Sequence, residues 1–143
     1  MIDITSVEHI GIAVKELQEA IQFYEEKLGL KCYKIEEVSE QQVITAFFNA
    51  GNVKVELISP IKDGVGPIAK YLDSKGEGLH HIAFKVKDLS ETIGTLKNSN
   101  VDMINTSPAP GADQMEIAFA HPKSCHGVLT EFCSPNLDKQ GID

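Results

Sequence analysis

The chain of 143 residues has no tryptophan and no arginine; all thirteen of its basic residues are lysine. Two-pronged guanidinium recognition of a carboxylate or phosphate is therefore closed to it, and lysines and backbone amides must do that work. Cysteine is scarce: Cys32, Cys125 and Cys133 are an odd number with no Cys-x-x-Cys pair. That fits buried or idle thiols in a reducing compartment, with Cys125 read as an idle loop thiol because no nucleophile dyad lies near it. No apolar run approaches the length of a membrane span or a signal-peptide core, so no membrane association is expected and the predicted location is cytoplasmic. A basic excess is lacking as well. The net charge of −8 excludes a non-specific nucleic-acid binder, which needs a basic stripe to displace counterions. A small anionic ligand at one local site remains open.

What is present is ordinary globular composition, 42% apolar and 24% charged, at a length that supports one core. The expectation is a single domain over residues 1–143 made of two modules, about 5–60 and 78–135, with 136–143 a loose tail. The evidence is a duplication. When His81 is laid on His9, Ile82 falls on Ile10, Val86 on Val14, Lys87 on Lys15, Leu89 on Leu17, Glu91 on Glu19 and Ile93 on Ile21. Near the end of each half, Glu56-Leu57-Ile58-Ser59-Pro60 matches Glu131-Phe132-Cys133-Ser134-Pro135. Each half opens with a strand histidine and closes with a strand glutamate.

Within each copy the pattern predicts βαβββ. A strand over 7–14 puts His9, Gly11 and Ala13 on one face and Ile10, Ile12 and Val14 on the other. A helix over 16–28 carries Leu17, Ala20, Ile21, Tyr24 and Leu28 on one stripe and stops at Gly29. Strands over 31–38, 42–49 and 53–58 follow, with a turn at Ala50-Gly51-Asn52. The segment 60–78 is the hinge, with one or two helical turns at 67–72. In the second copy a strand over 79–86 precedes a helix over 88–98, whose Asp88 and Glu91 have capping-box spacing. Asn100 stands where Gly29 stood. Strands are predicted over 101–105, 115–120 and 127–133, and the loop 106–114 between them is long enough to cover a ligand.

The alternation decides where the special residues point. His9 and His81 share the face opposite the helices, where their strand neighbours Gly11, Ala13 and Ala83 are small. A strand histidine or glutamate alone is most often a structural or solvated residue. Both types at equivalent positions of a repeat suggest a shared task. Paired edge to edge, the modules are expected to form an α+β fold whose sheet is an open cup with helices outside. His9, Glu56, His81 and Glu131 would then meet about a pseudo-twofold axis, a donor set suited to a divalent ion such as Co, Mn, Ni or Zn. His80 points away from His81, and His121 and His126 are expected in an exposed loop.

Three segments carry a family resemblance: Gly78-Leu79-His80-His81-Ile82-Ala83, the Ser59-Pro60 pair followed by Pro67-Ile68-Ala69-Lys70-Tyr71-Leu72, and the run from His121-Pro122-Lys123-Ser124 to Glu131. With the doubled pattern they resemble the vicinal oxygen chelate superfamily, and within it the methylmalonyl-CoA epimerases. The resemblance implies metal ligands His9, Glu56 (a position taken by Gln or Glu), His81 and Glu131, an acyl-CoA substrate and a homodimer. On that basis Glu131 is expected to be one base for proton transfer at the thioester C2, with Glu56 or a metal-bound water as the other, and Lys123, for the substrate's charged end, and Thr45 are the candidate substrate contacts. Two departures stand out. Thr45 occupies a position where some epimerases carry a glutamate base, and Gly111-Ala112-Asp113-Gln114 replaces a Gly-x-x-Gly loop. Rival readings are a glyoxalase I, disfavoured by the missing arginine, an Fe(II) dioxygenase, and a metal-free module that sequesters a small molecule.

Overall fold

The computed structural model describes residues 1–136, which contain eight strands, three α-helices and two short 3-10 turns. They form two compact units, one of His9–His80 and one of Met1–Glu8 with the chain from His81 onward. The predicted loose tail lies, from residue 137 on, outside the described residues.

In the first unit, β1 (Ile4–Ala13) contributes its second half, followed by α1 (Leu17–Glu26), β2 (Cys32–Val38), β3 (Val43–Ala50), β4 (Val53–Pro60) and α2 (Pro67–Lys75). Strand order is β2-β3-β4-β1, with β1 parallel to β4 and the other pairs antiparallel. The core on the helix side gathers Val14, Leu17, Ile21, Ala46, Phe48 and Leu57. This is the predicted apolar face, and Leu17 and Ile21 are spaced to meet it from one side of α1. Gly29, at φ +73°, reverses the chain where a Cβ would be strained. Two details differ from expectation. Helix α1 ends at Glu26, so Leu28 lies beyond it and is 52% exposed. Helix α2 runs to Lys75, three residues past the predicted stop, and is ended by Gly76 at φ +77°.

In the second unit, β5 (Gly78–Val86) contributes from His81, followed by α3 (Leu89–Asn98), β6 (Ala109–Pro110), β7 (Met115–Ala120) and β8 (Thr130–Pro135). Its order is β5-β8-β7-β6, with β5 parallel to β8. The first residues of β1 belong to this unit, and Thr5 Oγ1 donates to the Lys85 carbonyl at 3.2 Å. The helix-side core joins Val86, Leu89, Ile93, Met103, Ala118, Ala120 and Phe132. Asp88 caps α3 as its spacing predicted, accepting from the Glu91 N–H at 3.0 Å, and Asn100 adopts the left-handed φ of +65°.

The strand predicted over 101–105 does not form. Met103 makes only an isolated bridge to Ala120, and the Ile104 and Asn105 N–H groups both turn to the Phe119 carbonyl. The short sixth strand lies instead inside the predicted loop. It holds two residues because prolines 108 and 110 cannot donate to a ladder. Strand β8 likewise starts at Thr130, not at residue 127, since His126 and Gly127 take φ values of +55° and +91°.

Candidate active site

Each unit holds one buried histidine–glutamate pair, and the two pairs are built the same way. In the first unit, parallel pairing sets Gly11 beside Glu56, two residues past His9; in the second it sets Ala83 beside Glu131, two residues past His81. The small residue between them leaves room for imidazole and carboxylate to meet across neighbouring strands. His9 Nε2 lies 3.3 Å from Glu56 Oε1, with both side chains 7% exposed. His81 Nε2 lies 3.3 Å from Glu131 Oε1, with exposures of 1% and 6%. The repeat therefore survives as register and as contact.

An aromatic ring completes each pair. Phe47 is the direct cross-strand partner of Glu56 and meets the His9 ring edge to face, centroids 6.5 Å apart. Phe119 is the partner of Glu131 and meets His81 in the same way at 5.6 Å. These rings were missed because the small neighbours of the histidines suggested a uniformly open face. The smallness is confined to β1 and β5, while β3 and β7 supply apolar walls. A signal was present: Phe47 and Phe119 stand at matching places in the two copies, each facing its glutamate in a hairpin register.

Donor chemistry provides the test of fit for a cation. Two ligands each about 2.1 Å from one ion lie roughly 3.0 Å apart at a right angle and about 3.4 Å apart in a tetrahedron. The 3.3 Å separations fall within that span, and an imidazole nitrogen with a carboxylate oxygen is a usual pairing for divalent first-row metals. Burial supports the same reading, because charged side chains are kept from water only when something compensates them.

The remaining predicted residues divide. Thr45 is buried on β3 two residues from Phe47, and its hydroxyl donates to the Glu36 carbonyl at 3.2 Å. Lys123 is exposed on the 3-10 turn Pro122–Ser124. His121 is not simply solvated: its Nδ1 accepts from the Lys123 N–H at 3.1 Å and caps that turn. His126 is exposed. His80 packs edge to face on Tyr71 at 4.7 Å, as a structural residue would. Gln114, at φ +60°, holds the left-handed conformation that glycine adopts freely, so that loop keeps its backbone bend without the second glycine. A separate hollow at the ends of β4 and α2, lined by Lys15, Pro60, Asp63, Lys70 and Asp73, contains none of the paired histidines or glutamates.

Comparison with known proteins gives this geometry a context. The family model described as glyoxalase/bleomycin resistance protein/dioxygenase superfamily matches residues 8–119. The Bacillus subtilis uncharacterized protein YqjC is 45% identical over 93% of this chain and 94% of its own length. Human mitochondrial methylmalonyl-CoA epimerase is 35% identical over 86% of this chain and 70% of its own length. A solved Streptomyces coelicolor methylmalonyl-CoA epimerase, in complex with 2-nitronate-propionyl-CoA, superimposes with a TM-score of 0.89 at 32% identity, covering 93% of this chain and 96% of that one.

Proposed function

Because the chain belongs to the glyoxalase/bleomycin resistance protein/dioxygenase superfamily, we propose that it is a metal-dependent epimerase that interconverts the C2 epimers of methylmalonyl-CoA. The observation that carries this reading is the buried His–Glu pair repeated in identical register in both halves of the chain. Epimerase relatives similar over most of its length support it.

In this proposal His9, Glu56, His81 and Glu131 together hold one divalent ion, of the Co, Mn, Ni or Zn class by donor type. A bound ion of that kind supplies Lewis acidity toward the substrate's thioester and carboxylate oxygens, which lowers the cost of enolate charge. The protein's own groups do the rest. Glu131 takes the C2 proton on one side of the carbon, and the C–H electron pair moves toward the thioester carbonyl oxygen. Delivery of a proton to the other side inverts the centre, and a carboxylic acid opposite Glu131 is needed for that step. Phe47 and Phe119 shield the enolate from water and hold the imidazole planes. Thr45 borders the substrate as an uncharged wall, and Lys123 contacts the substrate's charged end. The working form is a homodimer in which each chain builds its own site. No helix among the described residues is long and apolar enough to cross a membrane.

The test is direct conversion. Purified protein given one epimer of methylmalonyl-CoA should yield the mixture of both, read with an enzyme that consumes only the other epimer. Recovery of unchanged starting epimer from metal-loaded protein overturns the assignment.

A further inference from the structure

Inversion at carbon needs proton carriers on two sides, and the two site glutamates are each engaged with a histidine at 3.3 Å. A third carboxylate lies on the same sheet face of the first unit. On β3, Ala46 and Phe48 face the helix-side core, so Thr45 and Phe47 face the other way, toward His9 and Glu56. Antiparallel register places Glu36 of β2 directly across from Thr45, and Lys34 across from Phe47 after a bulge that follows Cys32. Directly paired residues share a face. Glu36 and Lys34 therefore stand beside Thr45 and Phe47 on the His9–Glu56 side, at the rim formed by the edge strand.

Their state suits a proton carrier. Lys34 Nζ and Glu36 Oε1 are 3.3 Å apart, with side chains 33% and 29% exposed. The carboxylate is thus half-sheltered, held by a cation on its own strand, and still open to solvent for proton exchange. Thr45, which lies between it and β4, cannot accept a proton at neutral pH. A threonine there, smaller than a carboxylate side chain, leaves room for the longer Glu36 side chain to lean over it.

We propose that Glu36 is the second proton carrier, Glu131 being the first, with Lys34 as its positioning residue and Glu56 acting as a ligand only. This rests on the epimerase reading above. In one direction the C2–H bond breaks with its proton passing to the Glu131 carboxylate. The electron pair delocalises onto the thioester oxygen, and protonated Glu36 returns a proton to C2 from the other side. The reverse direction exchanges the two roles.

The experiment compares wild type, Glu36→Gln and Glu56→Gln, metal-loaded, with each epimer separately in D₂O, following C2 deuterium and configuration. Wild type should exchange and epimerise both substrates. Glu36→Gln should lose epimerisation by about 10²- to 10⁴-fold. It should still place deuterium at C2 of one epimer with retained configuration, because Glu131 acts alone. Glu56→Gln alters a ligand and should slow exchange, but the exchange that remains should come from both epimers and be accompanied by inversion. If Glu36→Gln epimerises within about threefold of wild type, or loses exchange from both epimers alike, the proposal fails. If Glu56→Gln instead shows the one-sided exchange, Glu56 is the second carrier. Absence of exchange in wild type removes the epimerase reading itself, and this assignment with it.

Discussion

A buried ion pair kept as a ligand set differs energetically from one kept to fasten the fold, and the His81–Glu131 pair is suited to that test. At 3.3 Å and an effective dielectric near 20, an imidazolium and a carboxylate attract by about 5 kcal/mol. Side chains only 1% and 6% exposed have given up several kcal/mol of hydration each, roughly on the scale of that attraction. The pair should contribute almost nothing net to stability. Measured in EDTA, the double variant His81→Leu/Glu131→Met, close in volume and apolar, should be within about 1 kcal/mol of wild type or as much as 4 kcal/mol more stable. His81→Leu alone removes the imidazole that the buried carboxylate meets and should cost about 3–5 kcal/mol. Glu131→Met alone takes away the carboxylate that the buried imidazole meets and should cost about 1–3 kcal/mol. For a chain of this size each kcal/mol moves the melting temperature by roughly 3–5 °C, so the order is readable by calorimetry. A double variant destabilised as much as His81→Leu would mean that the pair fastens the fold, and the argument from burial to ligation would fall.

Other perturbations separate the site from its scaffold. Phe47, 1% exposed, should cost about 3–5 kcal/mol as Phe47→Ala, seen in urea unfolding, whereas Phe47→Leu should fold and lose turnover. Asp88→Ala removes the α3 cap and should cost about 1 kcal/mol with kcat unchanged. Asn100→Val, forced to φ +65°, should cost about 1–2 kcal/mol, and Asn100→Gly should be near neutral. Added Co²⁺ at one hundred times its Kd should stabilise wild type by about 2.7 kcal/mol, raising the melting temperature by roughly 8–13 °C. His9→Ala should abolish that rise while remaining folded.

Much of this was legible before any coordinates. Strand alternation around His9 and His81 told which face each histidine takes, and the repeat told which glutamates belong with them. Local chemistry was equally readable: the Asp88 cap and the left-handed stops at Gly29 and Asn100 depend on a few neighbouring residues. What was not legible depends on partners distant in sequence. Residues 101–105 look like a strand by composition, yet their N–H groups scatter over unrelated acceptors, Val101 to the Leu96 carbonyl, Asp102 to the Ser124 hydroxyl, and Ile104 and Asn105 to the Phe119 carbonyl, because β propensity forms nothing without an edge to pair with. The division of β1 between two units is likewise a matter of contacts, and no boundary signal marks Glu8. The aromatic walls were hidden for the same reason. Phe47 and Phe119 meet the histidines only through the hairpin registers of β3 with β4 and β7 with β8. The bulge after Cys32, which turns Lys34 and Glu36 to the site face, has no glycine to announce it.

The claim that most of this depends on is ion-assisted removal of the substrate's C2 proton, and NMR of methylmalonyl-CoA in D₂O tests it most directly. With Co²⁺ present, the C2 signal should disappear at a rate set by enzyme concentration, and EDTA should stop the loss. Exchange no faster than the buffer blank by protein with metal bound, or exchange indifferent to EDTA, would contradict the account.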